Sequence, residues 1–127
     1  MAYSVTVSPR GDLVQVQVDG RVIVSEVESM VAEARALADQ SGLPILYDMS
    51  QAAPGNVSKS DLFWLPRKLP SLSSPWARRV RVALVHPPEH VENARFWETS
   101  FRNLGLDVRA FTNRPDAEAW LTLDGAV

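Results

Sequence analysis

The chain has 127 residues, 46% hydrophobic and 22% charged, a length and balance that fit one globular domain able to bury a core of its own. It contains no cysteine, which excludes a disulfide framework, a thiolate nucleophile and any cysteine-based zinc or iron-sulfur site. A net charge of −2 argues against a general nucleic-acid binder, and no stretch approaches the roughly 18 apolar residues of a membrane span. The amino end "MAYSVTVSPRGD" has no basic region followed by an apolar core, so the expected location is cytoplasmic.

"YSVTVS" and "LVQVQVD" alternate apolar and polar residues, and "PRGD" between them is turn chemistry, so the chain opens with an antiparallel hairpin. Val14, Val16 and Val18 then share one face, Gln15 and Gln17 the other. In "SEVESMVAEARALADQSG" the apolar positions Val27, Met30, Val31, Ala34, Leu37 and Ala38 recur at helical spacing. Ser25 and Glu28 have the spacing of a capping box, and Gly42 closes the helix. "PILYDMS" predicts a strand, whose continuous Ile45-Leu46-Tyr47 run suits burial on both faces. A polar loop follows, and "SKSDLFWLPRKL" predicts a helix capped by Ser58 or Ser60 and kinked or ended at Pro66.

"PSLSSPW" reads as a connecting segment rich in serine and proline, and "RRVRVALVHPP" as a strand running from a solvated end into the core. Pro88 starts the next helix, Gly105 ends it, and Val91, Ala94, Trp97, Phe101 and Leu104 mark its buried face. "LDVRAF" is the last strand, and "NRPDAEAWLTL" the last helix, with Asn113 as its cap. The order β-β-α-β-α-β-α-β-α predicts a single α/β domain over residues 1–127: a mixed, mostly parallel sheet of about five strands with four helices.

No motif announces a reaction. Asp48 ends a central strand as a phosphoacceptor would, but neither an acidic pair nor a lysine accompanies it, which favours a structural carboxylate capping loop amides. His86 could lie near Ser50, yet no G-x-S-x-G elbow exists. His86 and His90 have a metal-like spacing that Pro87-Pro88 interrupts, so no metal site and no cofactor is predicted. Between Leu62 and Pro88 the only charges are Arg67, Lys68, Arg78, Arg79 and Arg81, which form either a solvated face or a site for an acidic partner. Phe63, Trp64 and Trp76 flank the proline-rich segment. Phe63 and Trp64 cannot both point inward from a short helix, so the region is a candidate for a protein partner, a dimer contact or an apolar ligand.

The hairpin followed by Gly20-Arg21 and a helix, the strand ending "YDMS", the strand "RVALV" and above all the ending "LDVRAFTNRPDAEAWL" resemble the SpoIIAA-like proteins of the STAS fold group. The resemblance spans nearly the whole chain and is sharpest from Phe111 to Leu121. It implies a mixed sheet with helices largely to one side, and small bacterial cytoplasmic proteins, some dimeric, that mostly lack an assigned reaction. In anti-sigma-factor antagonists of the group, a serine at the start of the helix after the third strand is phosphorylated by a partner kinase, a position that falls here among Ser58, Lys59, Ser60 and Asp61. Those proteins carry Asp-Ser-Ser/Thr-Gly where this chain has Ser-Lys-Ser-Asp. The expected function is a non-enzymatic regulatory or protein-interaction module that uses Asp48, Ser50, Ser58, Ser60, Phe63, Trp64 and Trp76. Lipid-binding members of the wider group suggest the alternative, an apolar ligand held between sheet and helices near Phe63 and Trp64.

Overall fold

The computed structural model describes residues 1–53, 55, 57–69, 72 and 75–122, the side chains of Leu62, Pro66 and Trp76 excepted. Five strands form one sheet in the order β1 (Ala2–Val7), β2 (Val14–Arg21), β3 (Ile45–Ala53), β4 (Arg81–Val85), β5 (Asp107–Phe111). β1 pairs antiparallel with β2, and all later pairings are parallel. The helices are α1 (Val24–Ser41), α2 (Lys59–Lys68), α3 (Val91–Arg102) and α4 (Arg114–Leu121). Short 3-10 turns at Pro75–Arg79 and Pro88–His90 lead into β4 and α3.

Successive residues of a strand face opposite sides, and this sorts the core into two layers. Val14, Val16, Ile45 and Tyr47 pack against α1, Leu65 of α2 and Phe101 of α3. Leu46, Ala83 and Val85 meet Ala117 and Leu121 of α4 on the other face. Each Val or Leu so enclosed contributes roughly 1.5–3 kcal/mol relative to exposure. Ser4, Thr6, Gln15 and Gln17 lie on the α4 side of the hairpin, partly or fully exposed, where no apolar layer demands a hydrophobic residue.

Four local expectations are corrected. Val91, expected on the buried face of α3, is the first residue of that helix and is exposed. Ser25 and Glu28 do not cap α1, because the helix starts earlier: Ile23 is the N-cap, extended at φ −119°, with no side-chain hydrogen bond. Its carbonyl already accepts from the amides of Glu26 and Val27, which puts Ser25 inside the first turn. β3 continues through Ser50 to Ala53, so these residues are strand and not loop. A bulge between Gln17 and Asp19 lets β2 extend alongside, pairing Asp19 with Gln51 and Arg21 with Ala53. Pro66 does not end α2, which runs on to Lys68. At the carboxyl end of α1, Gly42 adopts φ 71° and its amide reaches the carbonyl of Ala38, a conformation that favours glycine.

The uncapped start of α1 yields a test. Ile23→Ser would place a hydroxyl at the N-cap with Glu26 at the third helical position, the spacing of a capping box. Among the described residues, Oε2 of Glu26 has no hydrogen-bond partner and lies 4.0 Å from the terminal ammonium, and the Ile23 amide donates only to Sδ of Met1 at 3.4 Å. Denaturant unfolding is expected to show a gain of about 1 kcal/mol. No gain would mean that the packing of Ile23 outweighs the cap.

Candidate functional site

The region predicted as a working loop resolves into three environments. The first is the end of β3. Oδ1 of Asp48 accepts from the amide of Ser50 at 3.1 Å and from its hydroxyl at 2.6 Å. Oδ2 faces Arg114 at 3.4 Å, and Arg114 also donates to Gln15 and Glu118, each at 2.9 Å. One guanidinium thus fastens α4 to β2 and β3. Asp48 is engaged on both oxygens, and its side chain retains only 13% of its exposure.

The second environment is the start of α2. Of the two candidate serines, Ser58 is the cap: its hydroxyl accepts from the amide of Asp61 at 3.1 Å, and the Asp61 carboxylate accepts in return from the amide of Ser58 at 2.9 Å. Donation from the Ser58 amide, and then from its hydroxyl at 2.9 Å, holds the Asp61 carboxyl below the usual carboxylate range. Ser60 lies exposed in the first turn, outside this cap.

The third is the outer face of α2. Phe63 and Trp64 are 44% and 53% exposed, which is unusual for side chains of this size. Their rings meet edge to face at 5.1 Å, and the Arg67 guanidinium lies over Phe63 at 3.8 Å from its centre. Arg67 also donates to the carbonyl of Phe63, so the cation is held on the ring. Leu65 turns inward to the core, with 3% exposure. Lys68 pairs with Glu28 of α1 at 3.8 Å, and Lys59 lies 5.9 Å from the Phe96 ring of α3, so α2 reaches from one neighbouring helix to the other. The side chain of Trp76, expected at this surface, lies outside the described residues.

Asp48 and His86 do not converge. Asp48 meets Arg114 on the α4 side of the sheet, whereas His86 lines a cavity with Trp97 of α3 on the opposite side. His86 is buried, with Nδ1 2.8 Å from the carbonyl oxygen of Pro87. Among the described residues no group of three or more His, Asp or Glu is arranged to hold a metal ion.

Two small cavities lie beneath the helix layer. One, of about 40 Å³, is bordered by Val22, Gly55, Val57, His86, His90 and Asn93 at the carboxyl ends of β3 and β4. Gly55 is held against β2 here, since a Cβ at this position would overlap the carbonyl oxygen of Val22. The second, of about 50 Å³, lies deeper between α1, α3 and the sheet; Met49, Leu84 and Trp97 border both. Its lining includes Arg35 and Tyr47, which the sequence reading did not single out. Burial pushes the Tyr47 phenol up to about 12, opposed in part by Arg35. Burial likewise lowers the pKa of Arg35, against the opposing pull of Tyr47 and Asp39. The signal was present in the sequence: Arg35 falls next to Ala34 and four residues after Val31, on the edge of the apolar stripe.

No family model and no curated protein matches this chain. The crystal structure of an uncharacterised protein of the DUF3478 family from Shewanella loihica PV-4, described as having a SpoIIAA-like fold, is similar to it at a TM-score of 0.56 and 19% identity, covering 94% of this chain and 92% of the other. The likeness establishes a SpoIIAA-like fold for this chain.

The cap geometry sets an expected outcome. Ser58→Ala should cost about 1 kcal/mol in denaturant unfolding, while Ser60→Ala should stay within about 0.5 kcal/mol of the parent. The Asp61 pKa is lowered in the folded state, so the stabilisation that its charge gives the cap is complete above the unfolded carboxylate pKa and is lost as pH falls through the folded value. The amide resonance of Ser58 should therefore titrate in acid, below the ordinary aspartate range, and Asp61→Asn should abolish that titration.

Proposed function

We propose that the chain is a non-enzymatic protein-interaction module of the SpoIIAA/STAS type whose contact surface is the outer face of α2. The observation that carries this reading is the exposed Phe63-Trp64 pair with Arg67 seated on it. Aromatic residues and arginine are the side chains that most often dominate the energy of interfaces, and here they are ordered in advance by one another. The charge around them favours a different protein over a second copy. α2 carries Lys59, Arg67 and Lys68 against Asp61 alone, and a two-fold contact would bring two copies of this net cationic helix together. The partner is therefore an acidic protein with an apolar recess, and homodimerisation is the competing outcome. This reading assigns no contact to Asp48 and Ser50, which lie on the α4 side of the sheet. Were the module switched by phosphorylation, Ser60 would be the accessible serine, since the Ser58 hydroxyl is engaged in the cap.

A photo-crosslinking residue in place of Trp64, with the protein at its natural level in the source cell, is expected to trap one acidic partner. Phe63→Ala with Trp64→Ala should weaken binding of that purified partner by about 2 kcal/mol or more while leaving unfolding within about 0.5 kcal/mol of the parent. A concentration-dependent dimer in ultracentrifugation that the double substitution abolishes would reassign the surface to self-association.

The apolar cavity under the helices favours a second reading, an apolar-ligand domain. Its about 50 Å³ is a third of the ~150 Å³ that admits benzene in an engineered cavity, so a ligand would enter only as the helix layer opens. Native mass spectrometry of the freshly purified protein should then show a retained small molecule; a clean apo mass that also stays unshifted with added 1-octanol removes this reading.

A further inference from the structure

Arg35 is out of place in an apolar interior. It retains 3% of its exposure, on the face of α1 that otherwise buries Val31, Ala34 and Ala38. Nη1 donates to the carbonyl of Ala77 at 3.2 Å, but Nε is enclosed without any partner. Among the described residues no carboxylate lies within ion-pair distance of it. Asp39, one turn further along α1, is exposed. A guanidinium taken from water in this way carries a desolvation cost that one neutral carbonyl does not offset, and the group that would offset it is a carboxylate.

The same side chain lines the deeper cavity, whose other walls are apolar apart from Tyr47. We propose that this cavity is a binding site for a small amphiphilic carboxylate, whose head group pairs with Arg35 and whose hydrocarbon chain runs along β3 and β4 past Met49 and Trp97. The proposal rests on the apolar-ligand reading above and adds the anionic head. Arg35 and Val82 line only this cavity, toward the amino ends of these strands, whereas Met49 and Leu84 also border the cavity of about 40 Å³ beside it. Methionine is the adaptable side chain among the three that separate the two spaces, and a change of its rotamer would join them into one channel. A neutral alcohol or hydrocarbon could fill the apolar walls, but it would leave Nε without an anion. A phosphate monoester would bring more negative charge than a single guanidinium offsets.

The test is calorimetric titration of the full chain with octanoate and with 1-octanol, each below its aggregation limit. The wild-type protein should bind octanoate about tenfold or more tightly than 1-octanol. Arg35→Met should remove that preference while keeping 1-octanol binding, and Arg35→Lys should retain part of it. Equal binding of the two ligands by the wild type would overturn the anionic assignment and leave the apolar-ligand reading standing, as would an equal loss of both in Arg35→Met, the result expected if Arg35 only holds Ala77. Binding of neither would overturn both. Should Arg35→Met fail to fold, the ratio measured on the wild type, with Arg35→Lys beside it, decides.

Discussion

The parallel pairing of β3 with β4, Ile45 against Val82 through Asp48 against Val85, governs what each residue of this molecule can do. Because the side-chain period is two, Tyr47 is committed to the face under α1 and α3 and Asp48 to the face under α4. A slip of one residue would exchange them, placing a carboxylate in the apolar layer and a phenol beside Arg114. Burial on both faces makes the register expensive to change, since Leu46 and Ile45 are fully enclosed on opposite sides. The separation of Asp48 from His86 follows from the same alternation. Residues that look adjacent along the chain are divided by the thickness of the sheet.

The order of elements was legible because hydrophobic periodicity reports burial directly: the valines of β2 and the stripe of α1 could satisfy no other arrangement. What was not legible depended on pairing with distant segments. The extension of β3 to Ala53 requires a bulge in β2 and a partner at Arg21, neither of which is encoded in the polar letters of Ser50 and Gln51. The start of α1 was misread because Ser25 and Glu28 match a cap by spacing alone, while the chain leaving β2 enters the helix at Ile23. At α2, by contrast, Ser58 and Asp61 satisfy the same local rule, and the helix begins where it directs. Of the candidate site, helix geometry excluded only that Phe63 and Trp64 both point inward; that both are exposed was not legible. Arg35 escaped notice because a charged residue at the margin of an apolar stripe ordinarily extends its stem and keeps its head in water.

α2 joins the proposed contact surface to the core. Its outer side presents Phe63 and Trp64, and its inner side contributes Leu65 to the core, whereas the deeper cavity is lined from α1, α3 and the sheet. A short helix held at its ends by an exposed ion pair and a cation over a ring is a light attachment by the standards of such contacts.

The sheet order runs without reversal from β1 to β5. In doubly wound sheets, small molecules settle where the order turns back and successive crossovers diverge to opposite faces, leaving a crevice at the strand ends. Here the three crossovers carrying α1, α2 and α3 advance in one direction, and connections of constant hand then fall on one face. α4 is free to take the other face because no strand follows it among the described residues. Among the described residues only α3 and α4, which follow the adjacent strands β4 and β5, diverge to opposite faces. Recognition can draw on the outside of the helix layer, on the interval between that layer and the strands and, on the opposite face, on a hollow of about 400 Å³ bordered by Ser8, Arg10, Gln15 and Arg114.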